Sequence, residues 1–345
     1  MKNKMKTVWK IIGLVILVGI VLTITGLLLG ASRTLYLDRT GVHISGNKIS
    51  IVEESDLEAF REINIDASFS DIEFLRSDTF GIELYGENLE WDWTLEDNIL
   101  TITDTGDLRL PILHFDFFQK QHNYVKIFLP ENLPPDEQPQ FVSLKTGSGN
   151  IRLDDFNTTV LDISNSFGNV DIKNMNTGVI FIELGSGRFT GLNLHAFRIV
   201  YNNRFGDGFF QEVGAVGFFE ADINSGNLQF TNCILTNATI VNNFGKITAT
   251  DVIAFSPNIR ANSGNINITG EISGEIVIHN EFGNIDLTTS KVRSDYSYDV
   301  SLKFGKLIFA GEQLKDQTSI ISGTTMENHI KITSSSGNVD VSFGS

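Results

Sequence analysis

Cysteine, proline and basic residues are all scarce in this chain of 345 residues. The single cysteine, Cys233, excludes a disulfide within the chain, so the fold must be held by its core and by backbone pairing. Four of only six prolines fall in residues 129–140, which predicts a loop there. Lysine and arginine number 26 against 42 acidic residues, giving a net charge of −16. A chain this acidic lacks the basic face that nucleic-acid binding requires.

Close groupings of catalytic or metal-binding residues are also missing. The six histidines have no zinc-site spacing; they are His43, His114, His122, His195, His279 and His329. The segment Gly185–Gly191 superficially resembles a nucleotide loop, but it lacks the Lys-Ser/Thr of a P-loop, so we interpret it as a strand corner. The sequence therefore predicts no catalytic residues, no metal and no cofactor.

Two carboxylate pairs are the only candidates for a hydrolytic or lyase site on a β-helix. They are Asp154/Asp155 and Glu271/Glu275. Carboxylates on an acidic surface are usually just solvated, so the pairs carry little weight. Cys233 lies in the apolar segment FTNCIL without an obvious base or electropositive setting, and we expect it to be a buried apolar residue.

One long uncharged stretch lies near the N-terminus. Residues 11–31 contain no charge over 21 positions, enough to span a hydrocarbon core of ~30 Å at 1.5 Å per residue. A cleaved signal peptide is the alternative, but its apolar region is usually only ~7–15 residues long and wants a small residue where Leu29 stands. A cytoplasmic N-terminus and an extracytoplasmic remainder are predicted by the preceding Lys2, Lys4, Lys6 and Lys10.

A glycine motif recurs along most of the chain. The steps between its first eight copies are 19, 19, 19, 20, 19, 19 and 19 residues, and two looser copies follow. A fixed period near twenty residues indicates a β-solenoid, in which each unit is too small to bury its own apolar face and stacks on its neighbours. The predicted corner residues are Gly149, Gly168, Gly187, Gly206, Gly226, Gly245, Gly264, Gly283, Gly305 and Gly337.

The residue before each glycine adds a second rhythm. From position 148 to 282 it alternates strictly between serine and phenylalanine. Either one coil has about 19 residues and the two kinds of corner interleave, or one coil has about 38 and phenylalanine stacks on phenylalanine. Turn chemistry explains the asparagines that recur just before the glycine, which are Asn165, Asn203, Asn224, Asn243, Asn262 and Asn280.

The pattern predicts five regions: a basic tail (1–10), a transmembrane anchor (11–31), a linker (32–48), a less regular β half (49–140) and the regular array (141–345). The most aromatic window contains Phe115, Phe117 and Phe118, which either touch a partner or membrane or lie beneath the loop. The chain ends on a strand, GNVDVSFGS, with no polar cap after it. Because unprotected edges invite strand addition, we expect this one to be covered by the chain itself or by another protomer.

The order of the motifs resembles a known group. FREINIDASFSDIEF, NILTITD, VKIFLPENLP and SLKTGSGNIRL are followed by repeated SGNI and FGNV units. Together, over residues 60–345, they are similar to the bacterial putative-adhesin family of β-strand-repeat proteins, a domain of unknown function that includes LiaG-like envelope-stress accessory proteins. The resemblance implies a solenoid-like domain outside the membrane and supplies no catalytic residue. This chain departs from the family pattern in its Phe-Gly corners and in wider spacings after Gly283, where we expect an insertion.

The leading hypothesis is a non-enzymatic, membrane-anchored surface protein that presents a rigid β scaffold to an envelope protein or wall polymer. The first alternative is a glycan-binding or glycan-processing β-helix. The second is a structural protein that self-associates through its C-terminal edge.

Overall fold

The computed structural model describes residues 12–22, 25, 34–38, 41–45, 49–87, 89–104, 110–114, 122–131, 133–134, 137–314, 318–322 and 326–345. Helix within these ranges is confined to residues 12–22, residue 25 and one 3-10 turn, Arg293–Asp295. None of these helices is long and apolar enough to cross a membrane. Residues 11, 23–24 and 26–31 of the predicted anchor lie outside the described residues, as do Phe115, Phe117 and Phe118.

Nearly all remaining secondary structure is β-strand. The first fifteen strands are β1 (Thr34–Asp38), β2 (Gly41–Ser45), β3 (Ile49–Glu54), β4 (Glu62–Ala67), β5 (Asp71–Ser77), β6 (Gly81–Glu87), β7 (Trp91–Glu96), β8 (Ile99–Asp104), β9 (Leu110–His114), β10 (Tyr124–Pro130), β11 (Phe141–Ser148), β12 (Ile151–Asp154), β13 (Thr158–Phe167), β14 (Val170–Ser186) and β15 (Phe189–Phe205). The others are β16 (Gly208–Ser225), β17 (Leu228–Thr231), β18 (Ile234–Thr236), β19 (Ala238–Phe244), β20 (Ile247–Phe255), β21 (Asn258–Ser263), β22 (Ile266–Ser273), β23 (Glu275–Phe282), β24 (Ile285–Val292), β25 (Tyr296–Phe304), β26 (Leu307–Phe309), β27 (Glu312–Leu314), β28 (Ser319–Ile321), β29 (Asn328–Ser336) and β30 (Val339–Gly344).

The strands stack in parallel with one coil per repeat. Val160 of β13 lies beside Val179 of β14, and Val179 lies beside Arg198 of β15, so neighbours in the stack are a single glycine repeat apart. The fold is therefore the predicted all-β solenoid. The longer coil of two repeats is wrong: each phenylalanine corner stacks on a serine corner, as Phe167 does on Ser186.

Alternation with a period of two decides which side chains enter the core. Val170, Ile172 and Ile180 are fully buried, while Asp171 and Phe181 between such positions face outward. Midway along the stack the core is aromatic, because Phe210 packs against Phe189, Tyr201, Phe219 and Phe230 at ring-centroid distances of 5.0–5.5 Å. This cluster joins several coils into one apolar interior.

Antiparallel strands close the N-terminal end of the stack. β4 pairs in parallel with β11, and β5 pairs in parallel with β12 and β10. Beyond them β7 lies antiparallel to β8, and β6 lies antiparallel to both β10 and β3. A small separate sheet has the order β2–β1–β9.

The last coil in the sequence is not the last coil in space. β29 lies between β23 and β25, and β30 lies between β24 and β26. The coil of Gly305 lies outermost, and the coil of Gly337 lies between it and the coil of Gly283. The widest spacing, between Gly305 and Gly337, contains the extra strands β27 and β28, which pair antiparallel with β26 and β25. β30 is thus paired on both sides, which confirms that the C-terminal strand is covered, here by the chain itself. A free edge at β30, the premise of the self-assembly alternative, is wrong.

Candidate functional site

The ten predicted glycines form one corner of the solenoid. Nine of them have φ between +133° and +151°; Gly149 is the exception. Each coil approaches the next so closely here that a Cβ on Gly226 would overlap the carbonyl oxygen of Gly206, and one on Gly245 would overlap that of Gly226. Backbone hydrogen bonds also join neighbouring coils at this corner: Gly168 N donates to Ser186 O at 3.1 Å. The corner therefore needs glycine for its φ and for the missing side chain.

An exposed line of phenylalanines runs along this corner. One residue of each coil belongs to this line, and it precedes the corner glycine everywhere except at Phe69, where Ser70 takes the place of the glycine. In spatial order these residues are Phe69, Ser148, Phe167, Ser186, Phe205, Ser225, Phe244, Ser263, Phe282, Ser336 and Phe304. We call the six phenylalanines the aromatic row; they are 49–73% exposed. In the order of the sequence, two phenylalanines follow each other at the end of this series, Phe282 and Phe304. In the folded chain Ser336 lies between them, so the alternation of phenylalanine and serine is complete only on the folded surface.

Buried asparagines hold four corners of the aromatic row in place. They are Asn165, Asn203, Asn242 and Asn280, each 0–2% exposed and two residues before a phenylalanine. Asn165 Nδ2 donates to Gly149 O at 2.9 Å, and its Oδ1 accepts from Phe167 N at 3.1 Å. Removing such a buried amide would leave the glycine carbonyl short of a donor, at a cost of about 1–3 kcal/mol.

Exposed asparagines form separate ladders. Asn262 Nδ2 donates to Asn243 Oδ1 at 2.7 Å on the outer side of the corner. After the glycine, Asn169 Oδ1 accepts from Arg188 N of the next coil at 3.0 Å. The sequence did not separate the buried set from this outer set, and it missed Asn242. A pattern of Asn two residues before Phe-Gly would have found that residue.

A groove lies between neighbouring members of the aromatic row. It encloses about 360 Å³ between Phe167 and Phe205, over Gly185 and Ser186. Glu183 and Arg204 line its sides. The small residues of the serine coil thus leave a gap between two rings.

A second apolar surface occupies another part of the stack, about midway between successive corner glycines in the sequence. Its side chains are 44–62% exposed, and we call it the mid-coil patch: Phe197, Val216, Phe218, Ile234, Ile253 and Phe255. Phe197 and Phe218 contact each other edge to face, with ring centroids 6.1 Å apart. At its edge Arg198 forms an ion pair with Glu220 at 2.8 Å.

The family model of the Toastrack DUF4097 domain matches residues 60–342. The chain belongs to the Toastrack family. The family resemblance inferred from the motifs is thereby confirmed. Among curated proteins, none matches this Toastrack chain.

Solved structures that are similar to it include three from bacteria. A putative cell adhesion protein from Clostridium sporogenes shares 7% identity over 86% of this chain and 100% of its own, with a TM-score of 0.20. Putative adhesins from Parabacteroides distasonis and Parabacteroides merdae share 17% and 13% identity, with TM-scores of 0.30 and 0.31. They cover 68% and 84% of this chain and 97% and 96% of their own.

The carboxylates singled out in the Toastrack sequence are not brought together. Asp154 and Asp155 belong to the coil of Gly149, and Glu271 and Glu275 to that of Gly264, six coils or roughly 29 Å away at ~4.8 Å per coil. Asp154 accepts from Asn174 Nδ2 at 2.9 Å, and Glu271 pairs with Lys291 at 3.1 Å. In the described part of the chain, no three His, Cys, Asp or Glu side chains are grouped so that they could hold a metal.

The thiol of Cys233 is buried, as the sequence predicts. Burial raises its pKa, and Sγ lies 3.4 Å from the carbonyl oxygens of Phe210 and Thr231. We expect Cys233 in the native chain to react with a thiol reagent at least about 100-fold more slowly than in denaturant, because reaction requires local opening. Ser263→Cys, at a half-buried corner, is the control and should react quickly. Equal rates for the two thiols would contradict the buried position.

Two aspartates are stacked on the outer face near the C-terminal end. Asp286 of β24 lies beside Asp340 of β30. Burial, and then the charge of Asp340, raise the pKa of Asp286 above its ordinary value of 3.8. A carboxyl whose pKa is raised in the folded chain opposes folding once it ionises. This penalty is absent below the unfolded pKa, grows as the pH rises from the unfolded to the folded pKa, and is fully present above the folded pKa.

Asp340→Asn should therefore stabilise the chain at pH 7, by roughly 0.2–1 kcal/mol of unfolding free energy, and the gain should vanish near pH 3. Urea denaturation at the two pH values measures it. Asp222→Asn is the control, because Asp222 lies between the uncharged Asn202 and Val241. A stabilisation by Asp340→Asn that is equal at both pH values would show that charge is not its cause.

Proposed function

We propose that this Toastrack chain is a non-enzymatic protein anchored in the cytoplasmic membrane by residues 11–31, whose solenoid contacts an envelope protein outside the membrane. The observation that carries the proposal is the mid-coil patch. Six large apolar side chains, all at least 44% exposed, lie on a scaffold held by continuous strand pairing. Contiguous apolar surface of this kind marks sites of interaction.

The N-terminal segment supports the membrane anchor. Residues 12–22 are helical, and their large apolar side chains are 43–66% exposed. A helix that is apolar on all sides is stable only in an apolar environment. Four lysines in the first ten residues favour retention of the N-terminus in the cytoplasm.

Thiol labelling of intact cells tests the orientation. The full chain carries either Lys4→Cys or Ser345→Cys, and the buried Cys233 provides a low background. A membrane-impermeant maleimide should label the Ser345→Cys chain in intact cells and the Lys4→Cys chain only after lysis. The opposite pattern, or recovery of the chain in the soluble fraction, would overturn the anchored topology.

Photo-cross-linking in cells tests the partner. A photoreactive phenylalanine analogue replaces Phe218 in the full chain, and the same analogue at the exposed Gln211 is the matched control. We expect position 218, but not 211, to form an adduct with one envelope protein, identified by mass spectrometry. Identical adducts from both positions would contradict a docking role for the mid-coil patch. An adduct only with wall polymer would move the function to glycan binding.

A further inference from the structure

We propose that the aromatic row is a self-association surface, on which the rows of two copies of this chain interdigitate. Each phenylalanine of one copy would enter a gap above a serine of the other. The inference goes beyond the proposed function, because it concerns the glycine corner and a second copy of the chain, and needs no membrane orientation or envelope partner.

The spacing of the row fits a second copy. Adjacent coils are about 4.8 Å apart, so phenylalanines on alternate coils are about 9.6 Å apart along the stack. One ring inserted midway lies about 4.8 Å from its neighbours, within the 4.5–7 Å range of favourable aromatic pairs. The groove between Phe167 and Phe205, about 360 Å³ in volume, provides space for such a ring.

Self-complementarity is built into the row. A two-fold symmetric interface requires one patch to fit itself. A strictly alternating row of large and small residues does so, because projections and gaps share one period. The insertion of Ser336 between Phe282 and Phe304 keeps this alternation at the C-terminal end, where the chain order alone would break it.

The area is that of a stable dimer. With roughly 200 Å² for a fully exposed phenylalanine, the exposed fractions of the six rings amount to about 700 Å² per copy. A standard protein interface buries about 800 Å² per partner. The exposed area of the rings alone thus approaches the area that one partner buries in a standard interface, and the flanking Asn and Ser side chains add to it.

The charge beside the row also favours contact between copies. Outside the first ten residues the chain has 22 basic and 42 acidic residues, since four of its 26 basic residues and none of its acids lie there. Next to the corner motif, however, five basic residues accompany three acidic ones: Arg188, Arg204, Lys246, Lys303 and Lys306 with Asp71, Asp207 and Glu281. Repulsion between two acidic molecules is therefore weaker at this corner than the overall charge of the chain implies.

Sedimentation of the full chain in detergent tests the proposal. One double variant, Phe205→Ser with Phe244→Ser, removes two rings of the aromatic row. The matched control is a second double variant, Phe218→Ser with Phe255→Ser, in the mid-coil patch. We expect the wild type and the control to sediment with about twice the 38.2 kDa protein mass of one chain, and the row variant with about once that mass. Its dissociation constant should rise at least about 100-fold, because two central aromatic contacts are lost. Circular dichroism confirms that both variants remain folded.

Three results would overturn the proposal: a monomeric wild type at tens of micromolar, a row variant that remains dimeric, or a control variant that dissociates equally. A monomeric wild type that sediments with insoluble wall polymer, when the row variant does not, would instead assign the row to a polysaccharide. The labelling experiment on membrane orientation does not depend on any of these results, so failure of one proposal leaves the other standing.

Discussion

Gly226→Ala should destabilise the solenoid by at least about 3 kcal/mol. Two penalties act together. Gly226 has φ +151°, which an L side chain rarely adopts, and the new Cβ would overlap the carbonyl oxygen of Gly206 in the coil below. The coils can relieve that overlap only by separating, which weakens the pairing of β15 with β16 on one side of the corner and of β16 with β17 on the other. The midpoint of urea denaturation measures the loss.

Gly311→Ala is the matched control for the stacking part of this effect. Gly311 also has positive φ, +81°, but nothing lies within 4 Å of the position that a Cβ would take. We expect a loss of only about 1 kcal/mol, from backbone strain. If the two substitutions were equally costly, close approach between coils would not be the reason for glycine at the corner.

Phe210→Ala should cost about 3–5 kcal/mol of unfolding free energy, because the cavity it leaves is surrounded by rings that cannot close it. Phe210 is 1% exposed and its ring centroid lies within 5.5 Å of those of four other aromatic residues. These neighbours come from several coils, so the cavity would weaken the stack across its middle. Thermal and urea denaturation both report the change.

Phe205→Ala is the control for this substitution, five positions earlier in the chain. Phe205 is 56% exposed, so its truncation in the monomeric chain should change stability by no more than about 0.5 kcal/mol. The contrast tests the assignment of the two phenylalanines to core and surface. A large loss from Phe205→Ala with little from Phe210→Ala would reverse that assignment and shift the register by one residue.

Period and composition were enough to predict the solenoid. A glycine at a fixed period with alternating apolar positions between is compatible with few folds other than a solenoid. The ten glycines do lie at one corner of it. The coil length was not predictable, because serine and phenylalanine before the glycine repeat every two units in either arrangement. The register between strands resolves it: Phe167 is stacked on Ser186.

Two features of the surface depend on the order in which the coils stack, so they could not be predicted from the sequence. The sequence places Phe304 before Ser336, whereas the fold inserts the later coil between two earlier ones. The exposure of the aromatic row follows from that stack, since a phenylalanine before glycine could equally have pointed into the core. The stack also decides how the two carboxylate pairs are related: they lie six coils apart, so they do not combine into one site.

Every spacing along the aromatic row depends on one coil per glycine repeat, and one distance tests this directly. Nitroxides are attached at Arg152→Cys and Asn267→Cys, which are connected through consecutive stacked positions 171, 190, 209, 229 and 248. Double electron–electron resonance on chains diluted with unlabelled protein should give a distance of about 29 Å, six steps of ~4.8 Å. A distance of about 14 Å, three steps of ~4.8 Å, would show coils of two repeats each and contradict the account.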